Sequence, residues 1–599
     1  MLERNNQRLL SRSTLLALCY ISFMMPMTAQ AASFVVEDGE VVGAQTLSGL
    51  SDKGLVKEGG TISTTGNGLP GIGVLMTNGL QELKNDGTIF TTGILANAVY
   101  SGGPSSLITN NGLIRTIGDG TSGIVILSTG TGSQVVNNGL ISIEGNFNGA
   151  TPVGIVAGAA GTTVINTGQI RTVGTQGEGI LVSGASTKVR NTGLIQSTGT
   201  GSFGIRVTGA NASITNNGTI IANTGSTSFA ISLEGLNSTL NLQRESNIQG
   251  AVQLTQASTL NVQKGLNLAL TTTGLPFSTI TTEGSPFATS GNLVAVVDRT
   301  GFALEVDILD DLTAGIMNNL GNQYCLDCCN DDCCEYDLQN NWSAWIRGFG
   351  SYRERRLQHK TVKYDNGLEG GLAGLETVIF CDWKLGLFGG GTYGTSHVKH
   401  HSHVFKNTSG FGGLYLDGNI TDYFVRFAIT GGSLNQHSRR KVMNNLAQDG
   451  YQFARAKFHG GFVAPELRFG RSFCIGGLEP IVSADIRYSG LFLNHYNEKG
   501  SATNFRVKSH NIQLLTTATE LAVPITFNLC NSCMTVTPYA GLEGRYRLGN
   551  KKLHGELLDQ SVTFFDGSWN QIGIAFIGVR SCRKMDCGLT LMLDLEGDF

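Results

Sequence analysis

Between Ser33 and Gln323 the sequence has no histidine, no cysteine and no tryptophan; all ten histidines lie further on. Those absences exclude a Ser-His-Asp or Cys-His nucleophile from the first half of the mature chain, and histidine-type zinc catalysis with it. Charge is also scarce, at 15% of residues with a net −3, so nothing here draws nucleic acid or an anionic surface. Only carboxylate chemistry of the glycosidase or lyase kind is left open. Its candidate acids Asp86, Asp119, Glu144 and Glu178 occupy mostly different phases of the pattern described below. Each reads as a solvated turn residue, so neither enzyme activity nor a cofactor or metal is expected.

The N-terminus carries Arg4, Arg8 and Arg12, then the apolar stretch Leu15–Met25, then Ala29-Gln30-Ala31. This is the layout of a cleaved secretory signal ending at Ala31, and the stretch is shorter than the roughly 18 residues a helical span requires. A lipid anchor on Cys19 is disfavoured by the bulky Leu18 before it. Export to an oxidising compartment follows.

Glycine, by contrast, is abundant, with 82 residues in 599. From about Val35 to Leu270 the chain repeats itself roughly every 25 residues, the signature of a solenoid. One motif recurs as Asn85-Asp86-Gly87-Thr88-Ile89, Asn110-Asn111-Gly112-Leu113-Ile114 and Asn137-Asn138-Gly139-Leu140-Ile141. It continues as Asn166-Thr167-Gly168-Gln169-Ile170, Asn191-Thr192-Gly193-Leu194-Ile195 and Asn216-Asn217-Gly218-Thr219-Ile220. A second motif runs in phase with it: Gly123-Ile124-Val125-Ile126, Gly154-Ile155-Val156, Gly179-Ile180-Leu181-Val182 and Gly204-Ile205-Arg206-Val207. Asn-Gly predicts corners with positive φ, and the β-branched runs predict short strands. No rung buries its apolar face alone, so rungs stack about 4.8 Å apart, and seven or eight make a rod of roughly 35–40 Å. Asparagines repeated at one corner can form a hydrogen-bonded ladder along the stack.

After Leu270 the repeat fades. Glu305–Leu320 reads as a short helix with acids near its start. Beyond it Cys325, Cys328, Cys329, Cys333 and Cys334 crowd into ten residues. No histidine or second matched pair completes a zinc site, so disulfides are the favoured reading of these cysteines, with metal the alternative.

From Asn341 the texture changes to amphipathic strands of about ten residues. Arg426, Asp485, Arg487, Glu543, Arg545 and Arg547 fall on one parity, opposite apolar residues on the other, as do Asp594 and Glu596 against Leu589–Leu595 and Phe599. Charges inward and apolar groups outward suit a water-containing lumen in lipid. Short turns fall at Cys381, Cys474, Cys530/Cys533 and Cys582/Cys587, and the intervening loops are long and polar. With long loops external, these cysteines belong at the periplasmic rim, where disulfides are predicted within the domain or to neighbouring envelope proteins. The stretch Ser396–His403 with His397, His400, His401 and His403 reads as a hydrated external loop, with transition-metal binding the alternative.

Asn341-Trp342-Ser343-Ala344-Trp345-Ile346-Arg347-Gly348-Phe349-Gly350 resembles the first strand of autotransporter β-domains. Trp383–Gly391, Thr537–Leu542 and Leu593-Asp594-Leu595-Glu596-Gly597-Asp598-Phe599 continue the resemblance, and the repeats are similar to the β-helical passengers of that family. The resemblance implies an all-β protein: a right-handed parallel β-helix over 32–304, a linker with pore helix over 305–340, and an antiparallel barrel of about twelve strands over 341–599, after a signal at 1–31. About eleven strands can be counted directly. It further implies residence in the outer membrane with the passenger at the cell surface. Implied partners are outer-membrane lipid, the Sec translocon and the barrel assembly machinery, the last reading the end at Phe599. In some members paired asparagines in the pore helix are cleaved, which makes Asn318-Asn319 a candidate; a retained passenger is the expectation. The function expected is adhesion to a host or bacterial surface, with a carbohydrate-active passenger or a porin-like channel as alternatives.

Overall fold

A computed structural model describes residues 33–222, 227–320, 342–356, 361–380, 383–475, 478–529, 532–566, 570–584 and 590–598, with backbone alone at 380, 528–529, 532–533, 584 and 590–598. The signal segment with Ala31 lies outside that set, as does Phe599. So do Cys325, Cys328, Cys329, Cys333, Cys334, Cys381, Cys530 and Cys587. The described residues form two compact units, one reaching Leu240 with Gly250–Thr259, the other Asn241–Gln249 with everything from Leu260.

The first unit is a β-solenoid of about eight turns, each giving one strand to each of three parallel sheets. A central turn shows the logic. Gln134–Asn137, Leu140–Glu144 and Val153–Ala157 pair in register with Thr163–Asn166, Gln169–Val173 and Glu178–Val182 of the next turn. Inward Val135, Ile141 and Ile155 have no solvent exposure, and equivalent residues stack above and below them. Polar partners stack as well. Asn85, Asn110, Asn137, Asn166 and Asn191 each donate Nδ2 to Oδ1 of the next asparagine at 2.7–2.8 Å, the line ending on Asn216. Spacings of 25, 27 and 29 residues separate the members, so length varies in the loops while the corner is kept.

The reason glycine follows these asparagines needs correction. Gly139 lies outside the left-handed region. A Cβ there would instead sit 2.1 Å from the carbonyl oxygen of Gly112 one turn earlier. Space between stacked backbones, and not a positive φ, selects glycine at this corner.

The second unit is a barrel around one helix. Its strands are β1 (Trp342–Arg355), β2 (Tyr364–Phe380), β3 (Trp383–Val398), β4 (His403–Ile420), β5 (Tyr423–Asn444) and β6 (Tyr451–Ser472). They continue as β7 (Ile481–Leu493), β8 (His510–Ala522 with Ile525–Leu529), β9 (Ser532–Leu548), β10 (Gln571–Lys584) and β11 (Thr590–Asp598). Each pairs antiparallel with the next, and β11 lies alongside β1. Eleven strands are thus described. The two pieces of β8 count as one because both pair with β9. β5 and β6 have 22 residues each, about twice what the hydrocarbon layer requires, so their hairpin projects beyond it. Two loops, 494–509 and 549–570, build a separate four-stranded sheet from Tyr496–Asn497, Phe505–Val507, Lys552–Leu557 and Gln560–Phe565.

Outward positions such as Ile346, Leu387, Phe427, Ile486 and Ile577 are exposed and apolar, as a lipid-facing wall requires. Helix α1 runs Thr300–Met317, starting five residues before the expected Glu305. The Asp298 side chain explains the earlier start: it accepts a hydrogen bond from the backbone nitrogen of Thr300 at 3.3 Å.

Candidate functional site: the helix inside the barrel

Sixteen of the eighteen residues of α1 are buried, including Glu305, Asp307, Asp310 and Asp311. A helix that hides four carboxylates needs a partner for each. Asp307 receives both Arg353, at 3.2 Å, and Arg355, at 3.1 Å, together with the Tyr364 hydroxyl at 2.6 Å. Asp310 sits among three guanidinium groups: Arg353 at 2.9 Å, Arg487 at 3.1 Å and Arg545 at 2.9 Å. Asp311 takes Arg353 at 2.6 Å and the Asn366 amide, and Glu305 faces His510 at 3.0 Å. These acids are therefore not first-turn dipole partners, as the sequence reading had it; the first turn of α1 has none. They are the contacts that bind the helix to the wall.

The apolar side of the helix is packed equally closely. Leu309, Leu312 and Ile316 join Trp345, Phe349, Phe388, Phe405 and Phe411, all turned inward from the strands. Gly315 makes room for Phe349, whose ring lies 2.4 Å from where a Cβ would be. Around α1 these inward side chains pack directly against the helix.

At the C-terminal end the helix carbonyls carry partial negative charge, which favours cations there. Arg347 donates to the Asn319 carbonyl and Arg426 to that of Leu320. Asn319 turns its own amide back to the Gly315 carbonyl at 2.8 Å. The same region holds a buried network: Arg426–Glu466 at 3.2 Å, and Arg468 and Arg580 on Glu520 at 2.8 and 2.7 Å. Trp345 donates to the Tyr415 hydroxyl, which donates to Glu376.

Among the residues singled out from sequence, Arg426, Arg487, Arg545 and Arg547 point inward and are buried. Arg547 reaches Asp566 at 3.4 Å and the Gln513 carbonyl at 3.2 Å. Glu543 pairs with Arg545, and Asp485 stands half-buried opposite Arg468 in register. The backbones of Asp594 and Glu596 lie opposite Arg580 and Gly578, their side chains being outside the described set. Sequence reasoning missed Arg347, Arg353, Arg355, Arg468, Arg580, Glu466 and Glu520. Extending the inward parity of Trp345 along β1 reaches Arg347, Arg353 and Arg355, so that signal was present.

Cys474 is exposed with a free thiol. Cys582 is buried and disulfide-bonded. The side chain of Cys533 is outside the described set. Both described cysteines lie at the short-turn end of the barrel. The histidines disperse to separate partners: His397 to Asp365 at 3.1 Å, His400 to Glu245 at 2.8 Å, and His401 edge-on to the His397 ring. His403 is buried against Phe405 and the Ser438 hydroxyl, which corrects its placement in a hydrated loop. Among the described residues no three His, Cys, Asp or Glu side chains converge as metal ligands.

In the solenoid, Asp86 and Asp119 fall in turns and Glu144 pairs with Arg115 at 2.9 Å. Glu178 corrects the solvated-turn reading. It lies within the strand Glu178–Val182 at 1% exposure, with Arg206 at 3.3 Å, and Arg206 also binds Glu234 at 2.8 Å. Burial pushes its carboxyl up to about 7, with the Arg206 charge opposing the rise.

Residues 344–567 match the family described as the autotransporter β-domain. The solved translocator domain of autotransporter NalP from Neisseria meningitidis is similar at 13% identity, covering 47% of this chain and 93% of that one, with a TM-score of 0.34. The β-domain of the Bordetella autotransporter BrkA is similar at 13% identity, over 43% and 96% of the two chains, with a TM-score of 0.28. No curated protein matches the chain.

Proposed function

We infer that this chain, a β-solenoid followed by an autotransporter β-domain, carries its own solenoid across the outer membrane and keeps it at the cell surface for adhesive contact. The observation that supports this most is α1. It stands between the solenoid and β1 in the chain and is bound into the barrel by Arg353, Arg355, Arg487 and Arg545. Its N-terminal end meets the long-loop side, where the Val362 amide donates to the Thr300 hydroxyl. A chain threaded that way leaves everything before Thr300 outside and tethered.

Adhesion is the reading favoured by a stack of repeated rungs offering extended outer faces. A porin role fits less well, because α1 fills the lumen it would conduct through. Protease treatment of intact cells bearing the full chain tests export: the solenoid should be trimmed while the barrel survives. Cells with the full chain should then adhere to host or bacterial layers more than cells whose chain lacks residues 61–222. Equal adherence overturns the adhesive part; protection of the solenoid in intact cells overturns surface display. Release of sugars from a polysaccharide panel by the full-length protein would favour the enzymatic alternative.

A further inference from the structure

We propose that a cleft at the projecting end of the β5–β6 hairpin binds a monosaccharide-sized phosphate ester. The cleft has a volume of about 320 Å³ and is lined by Arg244, Glu245, His400, Ser402, Lys441 and Tyr451, among others. All of these belong to the second compact unit.

Two fixed cations define its chemistry. The Arg244 Nε donates to the Lys264 carbonyl at 3.0 Å, which orients the guanidinium. Lys441 Nζ stands 3.6 Å above the Tyr451 ring, and that ring is anchored by its hydroxyl donating to the Ser246 carbonyl at 3.2 Å. The carboxylate in the cleft, Glu245, is engaged by His400 Nδ1 at 2.8 Å, and His400 adopts a φ of 59° there. The lining is thus net positive. Arginine and lysine donors together suit a phosphate. The volume falls at the lower end of small-molecule sites, roughly 300–1,000 Å³, so the oxyanion carries a sugar-sized group. A lipid headgroup and a soluble sugar phosphate share this chemistry.

The test is calorimetry on the full-length protein in phosphate-free detergent, titrated with glucose 6-phosphate, inorganic phosphate and glucose. Glucose 6-phosphate should bind, inorganic phosphate more weakly, and glucose not at all. Arg244→Gln with Lys441→Gln should weaken binding about 10-fold or more, while Lys441→Arg retains it. The heat-dependent gel shift of the barrel controls for folding in each variant. Phosphorus in lipid extracted from wild type but absent from the double variant assigns a lipid headgroup; equal extracts assign a soluble ester. Absence of glucose 6-phosphate binding, or wild-type affinity in the double variant, overturns the proposal.

Discussion

The solenoid and the barrel alternate inward and outward residues alike, yet they hide opposite chemistry. In the solenoid, Ile89, Ile114, Ile141, Ile170 and Ile195 fill the interior, and among its described residues Asp52 and Glu178 are the buried charges. In the barrel the five largest wholly buried side chains are arginines: Arg347, Arg426, Arg440, Arg468 and Arg580. The difference teaches that alternation alone does not say what a strand hides; the surrounding solvent does. Where water lies outside, apolar groups go in. Where lipid lies outside, apolar groups face it and charges must find one another within.

The sharpest way to break the comparison is to remove a charge from the barrel interior. Asp310→Ala leaves Arg353, Arg487 and Arg545 without their shared carboxylate. Breaking a buried pair at one partner costs about 4 kcal/mol, and here three guanidinium groups lose one. The expected outcome is a barrel whose heat-dependent gel shift occurs at lower temperature and whose conductance in planar bilayers rises as α1 loosens. Unchanged conductance and gel shift would mean that the helix is held by its apolar contacts alone.

At Glu178, one of the two charges hidden among the described residues of the solenoid, the comparison can be sharpened by pH. The Glu178 carboxyl is raised from 4.5 to about 7 in the folded chain, so the native state holds its proton more tightly than the unfolded one. Its stabilising contribution is complete below about pH 4.5, falls as pH rises toward 7, and is lost above that. The change amounts to about 3 kcal/mol across that window. Amide exchange of peptides covering 178–207, followed by mass spectrometry, should show faster opening at pH 8 than at pH 5. Glu178→Gln should remove most of that difference.

Much of this was legible because repetition and alternation are one-dimensional signals. The asparagine corner and the isoleucine columns recur in the sequence as they recur in space, so the ladder from Asn85 to Asn216 could be written down beforehand. Arg426, Arg487 and Arg545 were readable from parity within single strands. What was not readable depends on contacts between distant segments. Arg353 meets Asp307 and Asp310 across 46 and 43 residues, and no periodicity links a strand to a helix lying across it. Glu178 was misread for a similar reason: its burial comes from Phe203 and Arg206 on the neighbouring rung, not from its own strand. Gly139 was placed correctly and explained wrongly, since the clash that selects it involves the previous turn.

A smaller effect tests the outer faces. Leu387 on β3 and Val173 in the solenoid are about equally exposed, at 54% and 52%. Arginine at Leu387 must enter lipid and should cost about 2 kcal/mol in a bilayer-based unfolding titration. Arginine at Val173 meets water and should change stability by about 0.5 kcal/mol or less. Equal costs would remove the contrast between a lipid-facing and a water-facing wall.

The smallest effect is expected at Asn318. Cleavage between Asn318 and Asn319 requires the Asn318 side-chain nitrogen to attack its own carbonyl carbon, with that carbonyl polarised and the Asn319 nitrogen departing as an amine. The cationic donors at this end of α1 are placed otherwise: Arg347 serves the Asn319 carbonyl and Arg426 that of Leu320, one and two residues beyond the bond in question. Asn318 keeps helical backbone angles, its amide donating to the Ala314 carbonyl at 2.9 Å, and the Asn319 amide group closes on Gly315. These bonds hold the segment as the last turn of a helix. A single uncleaved chain is therefore expected in outer-membrane fractions by mass spectrometry, and Asn318→Ala should leave that result unchanged. A fragment ending at Asn318 in the culture supernatant, abolished by Asn318→Ala, would show that Asn318 cleaves the chain and releases the solenoid, and the barrel interior would then be a reactive site as well as an anchor.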